Sequence, residues 1–128
     1  MSDPVIHFEV PYKDAERVKK FYSEVFGWRM NQMGADMNNY ITAGTTDSDE
    51  RGQSKTVGAI NGGFFPVGEM RDRTLITISV PDAAAAAKKV EEAGGKTIDK
   101  PMPIPGVGIY VSCVDSEGNP FSLIQSEM

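Results

Sequence analysis

The stretch that decides the fold occurs twice, as VIHFEVP at residues 5–11 and as LITISVPD at residues 75–82. In both copies apolar residues alternate with others, which is typical of a strand that buries one face. One face then carries Ile6, Phe8, Val10, Ile76, Ile78 and Val80, and the other carries Val5, His7, Glu9, Leu75, Thr77 and Ser79. The repeat predicts a chain built from two copies of one module.

A helix is predicted after each copy of this strand. Between residues 14 and 26 apolar residues recur every three or four positions, with Asp14 as the N-cap and Gly27 as the stop. Residues 83–93 are rich in alanine, a strong helix former, and Asp82 is their expected cap. Three further strands are predicted in each module: residues 28–33, 39–43 and 57–65, and residues 96–99, 108–114 and 120–125.

Neither module can bury both faces of its own sheet, because its helix covers only one of them. We therefore predict an α+β protein in which two βαβββ modules form a curved mixed sheet around a cleft. One domain is expected over residues 1–128, with module one at about 4–66 and module two at about 73–127. The polar stretch 44–56 and the proline-rich stretch 101–108 are expected to be loops, the second a candidate lip over the cleft.

Composition narrows the classes of function. The chain has 128 residues, 40% of them hydrophobic and 24% charged, which is typical of a globular domain. A net charge of −5 argues against nucleic acid and against an anionic membrane as partners. The chain shows no secretory signal and no run of about 18 apolar residues, and its single cysteine, Cys113, cannot form an internal disulfide. We expect a cytoplasmic protein.

Several motifs carry a family resemblance. They are the opening strand running into DAERVKKFY at residues 14–22, FGW at 26–28 and DSEGNPF at 115–121. Together they resemble the vicinal-oxygen-chelate (VOC) superfamily, which contains glyoxalase I, extradiol dioxygenases, methylmalonyl-CoA epimerase and the fosfomycin and bleomycin resistance proteins. NGG at 61–63 and MPIPGVG at 102–108 are similar to a glyoxalase-related subgroup that includes a mycobacterial 27 kDa antigen. The resemblance implies the glyoxalase/bleomycin resistance fold and a homodimer.

The resemblance also implies where a metal would be held. Metal-dependent members carry His and Glu ligands on the first, fourth, fifth and eighth strands, facing the cleft, and these ligands suit a divalent ion. Here the first position falls on His7 or Val5, the fourth lies around Asn61 or Gly63, the fifth is Leu75 or Thr77, and the eighth is Ser122. With one histidine in the chain and no carboxylate at these positions, we predict no metal site and no cofactor.

His7 is the candidate catalytic residue, since its unperturbed pKa lies near neutrality and its face is expected to line the cleft. Glu9, on the same face, is expected to orient His7 or to accept a proton. The alternatives are a half-buried histidine satisfied by its neighbours and a carboxylate in water at the rim. The candidate ligand-binding residues are Trp28, Tyr40, Asn61, Leu75, Thr77, Met102, Tyr110 and Ser122.

The motif NGG at residues 61–63 lacks the spacing and the following helix of a phosphate-binding loop. We therefore expect no nucleotide site there. Its two glycines instead indicate a bulge or a close approach of neighbouring chain segments.

Three functions are compatible with these residues. The first is a protein that binds a small hydrophobic or aromatic molecule in the cleft without a metal, and the missing ligands favour it. The second is a metal-independent, glyoxalase-like lyase or isomerase in which His7 moves a proton next to a carbonyl, and it would need an oxyanion donor in place of the metal. The third is a non-catalytic interaction module.

Overall fold

The structure is a computed structural model that describes residues 2–50, 54–69 and 71–126. Contacts divide the chain into two compact units: a first unit, His7–Thr74, and a second unit, which comprises the residues up to Ile6 and those from Leu75 onward. The predicted modules, 4–66 and 73–127, differ from these units in the placement of the first residues. The single domain and its module boundaries stay predictions.

The order of elements is the predicted one, except that one additional short strand, Met102–Ile104, forms in the second unit. The chain forms β1 (Val5–Tyr12), α1 (Ala15–Phe26), β2 (Arg29–Gln32), a 3₁₀ turn (Ala35–Met37), β3 (Ile41–Gly44) and β4 (Asn61–Pro66), and then β5 (Leu75–Ser79), α2 (Ala83–Glu92), β6 (Lys96–Thr97), β7 (Met102–Ile104), β8 (Gly108–Val114) and β9 (Pro120–Ser126). The α+β class is thereby confirmed. Among the described residues, neither helix is long and apolar enough to cross a membrane.

Both helices begin where their capping residues predict. The carboxylate of Asp14 accepts a hydrogen bond from the backbone N–H of Arg17 at 3.0 Å, and Asp82 accepts one from Ala85 at 3.1 Å. Gly27 ends α1 with a φ of 74°, a left-handed conformation that favours glycine. Local capping chemistry therefore sets where both helices begin and where α1 ends.

The repeat is confirmed in the strand register. In the first unit the strand order is β2-β3-β4-β1, with β1 and β4 parallel and His7 opposite Asn61. In the second unit β9 lies between β5 and β8, with β5 and β9 parallel and Thr77 opposite Ser122. Each unit thus pairs its first strand with its last, so His7 is equivalent to Thr77 and Asn61 to Ser122.

In each unit the strands have a helix face, which is the side covered by α1 or α2, and a far face on the other side. In the first unit the helix face buries Tyr12, Ile41, Ala43 and Phe64, with Val10, Val18 and Tyr22 packed against them. In the second unit it buries Val80, Ala83, Val111, Cys113 and Leu123. Because β-strand side chains alternate, His7, Glu9, Thr77 and Ser122 belong to the far faces.

Cys113 is an ordinary core thiol. It is buried beneath α2, and this burial, with a smaller contribution from the charge of Glu91, raises its pKa to about 11. The thiol is therefore protonated near neutral pH and unreactive.

The apolar face of α1 extends beyond the residues that pack on the core of the first unit. Val18 and Tyr22 pack on the core, whereas Phe21, Val25 and Phe26 are each more than half exposed. The rings of Phe21 and Phe26 lie 6.5 Å apart, so these three residues form one continuous apolar surface, the α1 patch. The periodicity predicted the helix correctly but did not separate its buried side from this patch.

Two predicted segments differ from the structure. Residues 57–60 were expected to begin a strand, but the N–H of Ala59 bonds to the carbonyl of Thr56 and Gly58 has a φ of 87°, so a turn forms there. Within the expected loop 101–108, Met102–Ile104 forms β7 and pairs with β8. Pro103 is tolerated in β7 because this strand lies at a sheet edge, where one side of the strand has no ladder partner for an N–H to bond. Of the predicted loop 44–56, residues 51–53 lie outside the described residues.

Gly62 offers a test of the packing between β1 and β4. Any side chain at this position would overlap the ring of Phe8, which packs against Trp28 on the helix face. Gly62→Ala should therefore lower the free energy of unfolding by about 1–3 kcal/mol, because the ring must move from its packed position. Urea denaturation measures this change.

Gly68→Ala is the matched control, because nothing lies within 4 Å of the added methyl group. Its free energy of unfolding should stay within about 0.5 kcal/mol of the wild-type value. Equal destabilisation by the two substitutions would contradict the packing described for Phe8.

Candidate functional site

The far face of the first unit holds a hydrogen-bonded pair of His7 and Tyr40. The His7 Nε2 lies 2.9 Å from the Tyr40 hydroxyl. Gly63, opposite Glu9 in the strand register, makes room for this contact, because any side chain there would overlap the Tyr40 phenol. The close approach predicted for the NGG motif is confirmed on both faces, since Gly62 gives the same room to Phe8.

The imidazole of His7 is held in its neutral form. Burial lowers the pKa of His7 below its ordinary value of 6.5, and the negative charge of Glu9 opposes this to a smaller extent. A neutral imidazole has one N–H donor and one acceptor nitrogen, so it can form the bond to Tyr40 in either direction. At neutral pH the pair is an uncharged hydrogen-bonding group.

Glu9 is buried, contrary to the expected alternative of a carboxylate at the rim of the cleft. Only 4% of its surface is exposed, so the alternative that placed it in water is wrong. It is close enough to His7 to act on its charge. The catalytic roles of His7 and Glu9 stay predictions.

Asn61 uses its side chain to hold a neighbouring loop. Its Oδ1 accepts hydrogen bonds from the backbone N–H groups of Thr45 at 2.8 Å and Thr46 at 3.2 Å, and its Nδ2 donates to the Ser48 hydroxyl at 2.7 Å. Thr45 adds a bond from its hydroxyl to the carbonyl of Ile60. Asn61 therefore anchors the start of the 44–56 loop, and its predicted contact with a ligand remains a prediction.

The far face of the second unit carries hydroxyl groups at the equivalent positions. The hydroxyls of Thr77 and Ser122 lie 2.9 Å apart, and both residues are buried. Leu75, which shares β5 with Thr77, is also buried. Ser112 lies opposite Ser122 and continues this row into β8. Sequence reasoning missed Ser112, although the alternation along residues 108–114 places it on this face.

Tyr110 and Met102 are also brought together on this far face. They are partners in the antiparallel ladder of β7 and β8, so their side chains emerge on the same side. About half of the Met102 surface is exposed, whereas Tyr110 is less exposed but not fully buried. The second unit thus groups Leu75, Thr77, Met102, Tyr110 and Ser122 on one face, and their contact with a ligand stays a prediction.

Trp28 lies on the opposite side of the first unit from His7. Its ring stacks on Tyr22 with centroids 4.8 Å apart and an angle of 14°, and it lies 5.6 Å from Phe8. These contacts give Trp28 a packing role on the helix face. The structure does not bring it together with His7 and Tyr40, so its assignment to ligand binding stays a prediction without support from the geometry.

Arg71 is a far-face residue that the sequence did not reveal. Its guanidinium carbon lies 4.4 Å from the centre of the Phe65 ring. Phe65 follows Gly63 by two positions on β4, so its ring is on the same face as Tyr40. The alternation along β4 predicts the face of Phe65, but only the folded turn at Gly68 and Arg71 brings the cation over it.

The donors at the four positions do not fit a divalent ion. In the described ranges, no three His, Cys, Asp or Glu side chains lie close enough together to hold a metal. His7 supplies one imidazole, the Asn61 oxygen already accepts backbone hydrogen bonds, and Thr77 and Ser122 are paired hydroxyls. Neutral hydroxyls are weak ligands beside imidazole and carboxylate. The absence of a metal site and of a cofactor stays a prediction supported by this donor chemistry.

Two surface pockets are lined by residues other than these. One of about 380 Å³ is formed by the β7–β8 hairpin and the end of β9, with Pro103, Ile104, Ile109 and Gln125 in its wall. The other, of about 610 Å³, is lined by the loop residues Ser48, Asp49, Glu50 and Lys55. Neither pocket contains a predicted site residue. The proline-rich stretch thus forms part of a pocket wall, and its role as a lip stays a prediction.

The pKa of His7 leads to a prediction about stability and pH. Because the folded protein holds the pKa below 6.5, the unfolded chain binds a proton first as the pH falls. The free energy of unfolding should therefore decrease between about pH 7.5 and pH 5.5, a window above the titration of most carboxylates. Urea denaturation across this range measures the slope.

His7→Gln is the variant that isolates this effect, because His7 is the only histidine in the chain. Glutamine keeps a hydrogen-bonding group but does not titrate, so the slope should become nearly flat. A variant with the same slope as the wild type would show that the fall in stability comes from other groups.

Comparisons with known proteins agree with this fold. The model of the Glyoxalase/Bleomycin resistance protein/Dioxygenase superfamily matches residues 5–123. No curated protein shows significant sequence similarity to the chain.

Solved structures show the same architecture at low sequence identity. A hypothetical protein of Bacillus halodurans C-125 is 14% identical, with a TM-score of 0.68 over 100% of this chain and 97% of that one. A Streptomyces coelicolor methylmalonyl-CoA epimerase variant, in complex with 2-nitronate-propionyl-CoA, is 14% identical with a TM-score of 0.67 over 96% and 94%. A superfamily member from Vibrio splendidus 12B01 is 12% identical, with a TM-score of 0.61 over 98% and 100%. At these identities the similarity to solved structures concerns the fold alone. Because the family model matches residues 5–123, the chain belongs to the Glyoxalase/Bleomycin resistance protein/Dioxygenase superfamily.

Proposed function

We propose that this protein binds a small hydrophobic or aromatic molecule on the far face of its first unit, without a metal centre. The observation that carries the proposal is the 2.9 Å contact between His7 Nε2 and the Tyr40 hydroxyl. Burial keeps the imidazole neutral, so this pair offers a ligand polar contacts at little cost in desolvated charge. Both residues are half-buried and so retain accessible surface.

The same contact favours binding over catalysis. A histidine that removes a proton needs a ring nitrogen within hydrogen-bond reach of that proton. Here Nε2 is already bonded to Tyr40, and burial has lowered the basicity of the ring. The pair is therefore better suited to fix the position of a ligand than to abstract its proton.

Binding can be measured at His7 itself, since the chain gives a single histidine Cε1–H signal in an NMR spectrum. Indole, phenylacetamide and hexanamide serve as neutral apolar probes. We expect at least one of them to shift this signal in a saturable way. Tyr40→Phe should raise its Kd by about five- to tenfold, which corresponds to the loss of one hydrogen bond.

Tyr22→Phe is the matched control, because it also removes one phenolic hydroxyl but lies on the helix face against Trp28. Its Kd should equal that of the wild type. If no probe shifts the His7 signal, or if both tyrosine variants weaken binding equally, the far face of the first unit is not the binding site.

A metal-independent lyase or isomerase is the second candidate, and the Tyr40 hydroxyl favours it. In this reaction His7 would take a proton from a carbon next to a carbonyl, and the phenolic O–H would donate to the enolate oxygen that develops. The proton would then return from His7 to the same carbon, and it would reach the opposite face only after the planar enolate has turned over in the site. The structural similarity to methylmalonyl-CoA epimerase supports testing an acyl thioester of that kind.

Deuterium exchange separates the two candidates. The binding function predicts that methylmalonyl-CoA incubated with the protein in D₂O gains deuterium at the carbon between its carbonyls no faster than without protein. Mass spectrometry measures the incorporation. Faster exchange that falls at least about 100-fold in both His7→Gln and Tyr40→Phe would instead establish proton transfer by this pair.

A non-catalytic interaction module is the third candidate. The α1 patch of Phe21, Val25 and Phe26 supports it, because an exposed apolar surface on a helix can pack against another protein. The homodimer, the cytoplasmic location and the absence of nucleic-acid and membrane partners remain expectations drawn from the sequence and its family resemblance.

A further inference from the structure

Arg71 is held in a fixed position on the far face of the first unit. Its backbone N–H bonds to the carbonyl of Gly68 at 3.0 Å, and the N–H of Gly68 bonds back to the carbonyl of Arg71 at 3.1 Å. Its guanidinium then lies 4.4 Å from the centre of the Phe65 ring, and Phe65 is 2% exposed. A guanidinium held over an aromatic ring by cation–π attraction is restricted in its motion.

The guanidinium keeps its hydrogen-bonding capacity. Among the described residues the two ion pairs are Lys19 with Glu16 and Arg73 with Asp72, and neither includes Arg71. The contact with Phe65 is made to the ring face and uses none of the acceptor atoms that the N–H groups could bind. Arginine presents five N–H donors in a fork that matches a carboxylate, so this guanidinium is suited to bind one.

The position of Arg71 relates it to the His7–Tyr40 pair. The Tyr40 phenol lies over Gly63, and the Arg71 guanidinium lies over Phe65, two residues further along β4. Two residues of a strand span about 7 Å. A ligand lying along β4 can therefore reach both groups if its polar ends are separated by a distance on the order of 7 Å.

We propose that Arg71 binds a carboxylate of the ligand, so that the molecule taken up on this face is a small hydrophobic or aromatic carboxylate. The proposal rests on the proposed binding function and deepens it by naming the ligand class. The fixed guanidinium gives the ligand its orientation, Phe65 supports the guanidinium from below, and the neutral His7–Tyr40 pair contacts the ligand at the other end.

Matched pairs of probes test this proposal on the intact wild-type protein. Phenylacetate is compared with phenylacetamide, and hexanoate with hexanamide, because each pair differs only in its charged group. The Kd of each is measured from the His7 Cε1–H signal. We expect each carboxylate to bind at least about tenfold more tightly than its amide, as for a charge-assisted hydrogen bond.

Two arginine variants assign the effect to one residue. Arg71→Gln should weaken carboxylate binding at least about tenfold and leave amide binding unchanged. Arg73→Gln is the matched control, since it removes the same charge only two residues along the chain. The Arg73 side chain is exposed and pairs with Asp72. This variant should leave both classes of probe unchanged.

The possible outcomes distinguish the two levels of the proposal. Equal affinity of carboxylates and amides for the wild type overturns the role of Arg71 but leaves the binding function in place, and this comparison needs no variant. Equal weakening by both arginine variants also overturns it, because the effect would then come from overall charge. If neither carboxylates nor amides bind, both the binding function and the role of Arg71 are rejected.

Discussion

Both units depend on the parallel pairing of the first strand with the last. In β1 and β4, and again in β5 and β9, this pairing sets opposite each other the residues that the far face presents, His7 with Asn61 and Thr77 with Ser122. A shift of one residue would move every one of these side chains to the helix face. The pairing in the first unit is close enough to require glycine at positions 62 and 63, where Phe8 and Tyr40 lie over the strand.

The two units have used the same positions for different chemistry. In the first unit these positions hold the imidazole of His7 and the amide of Asn61. The amide forms hydrogen bonds with a neighbouring loop, at Thr45, Thr46 and Ser48. In the second unit two hydroxyls satisfy each other inside the protein. Polar groups that are paired in this way are stable when buried, because neither is left without a partner. The two units therefore share their architecture, whereas His7 is the one titratable side chain at these four paired positions.

The sequence predicted those features that depend on neighbouring residues. The bounds of β8 at Gly108 and Val114, the caps Asp14 and Asp82 and the stop at Gly27 follow from local alternation and capping chemistry, and all are confirmed. Strand propensity failed at Val57, where the turn at Gly58 decides the conformation. The contacts of Tyr40 with His7 and of Arg71 with Phe65 join residues from different elements. No local pattern encodes such contacts, and for the same reason the sequence assigned Trp28 to ligand binding and did not predict its packing on the helix face.

The α1 patch has a consequence for how the protein behaves in solution. Phe21, Val25 and Phe26 place apolar surface on the outside of a chain whose net charge is −5 near neutral pH. Repulsion between molecules of like charge opposes contact between such surfaces, and this repulsion weakens as salt screens it or as the pH approaches the isoelectric point, about 4.8. Colloidal stability should therefore depend on the balance between this apolar surface and the net negative charge of the chain, and mildly acidic, salt-rich solutions should favour adhesion between molecules of this protein.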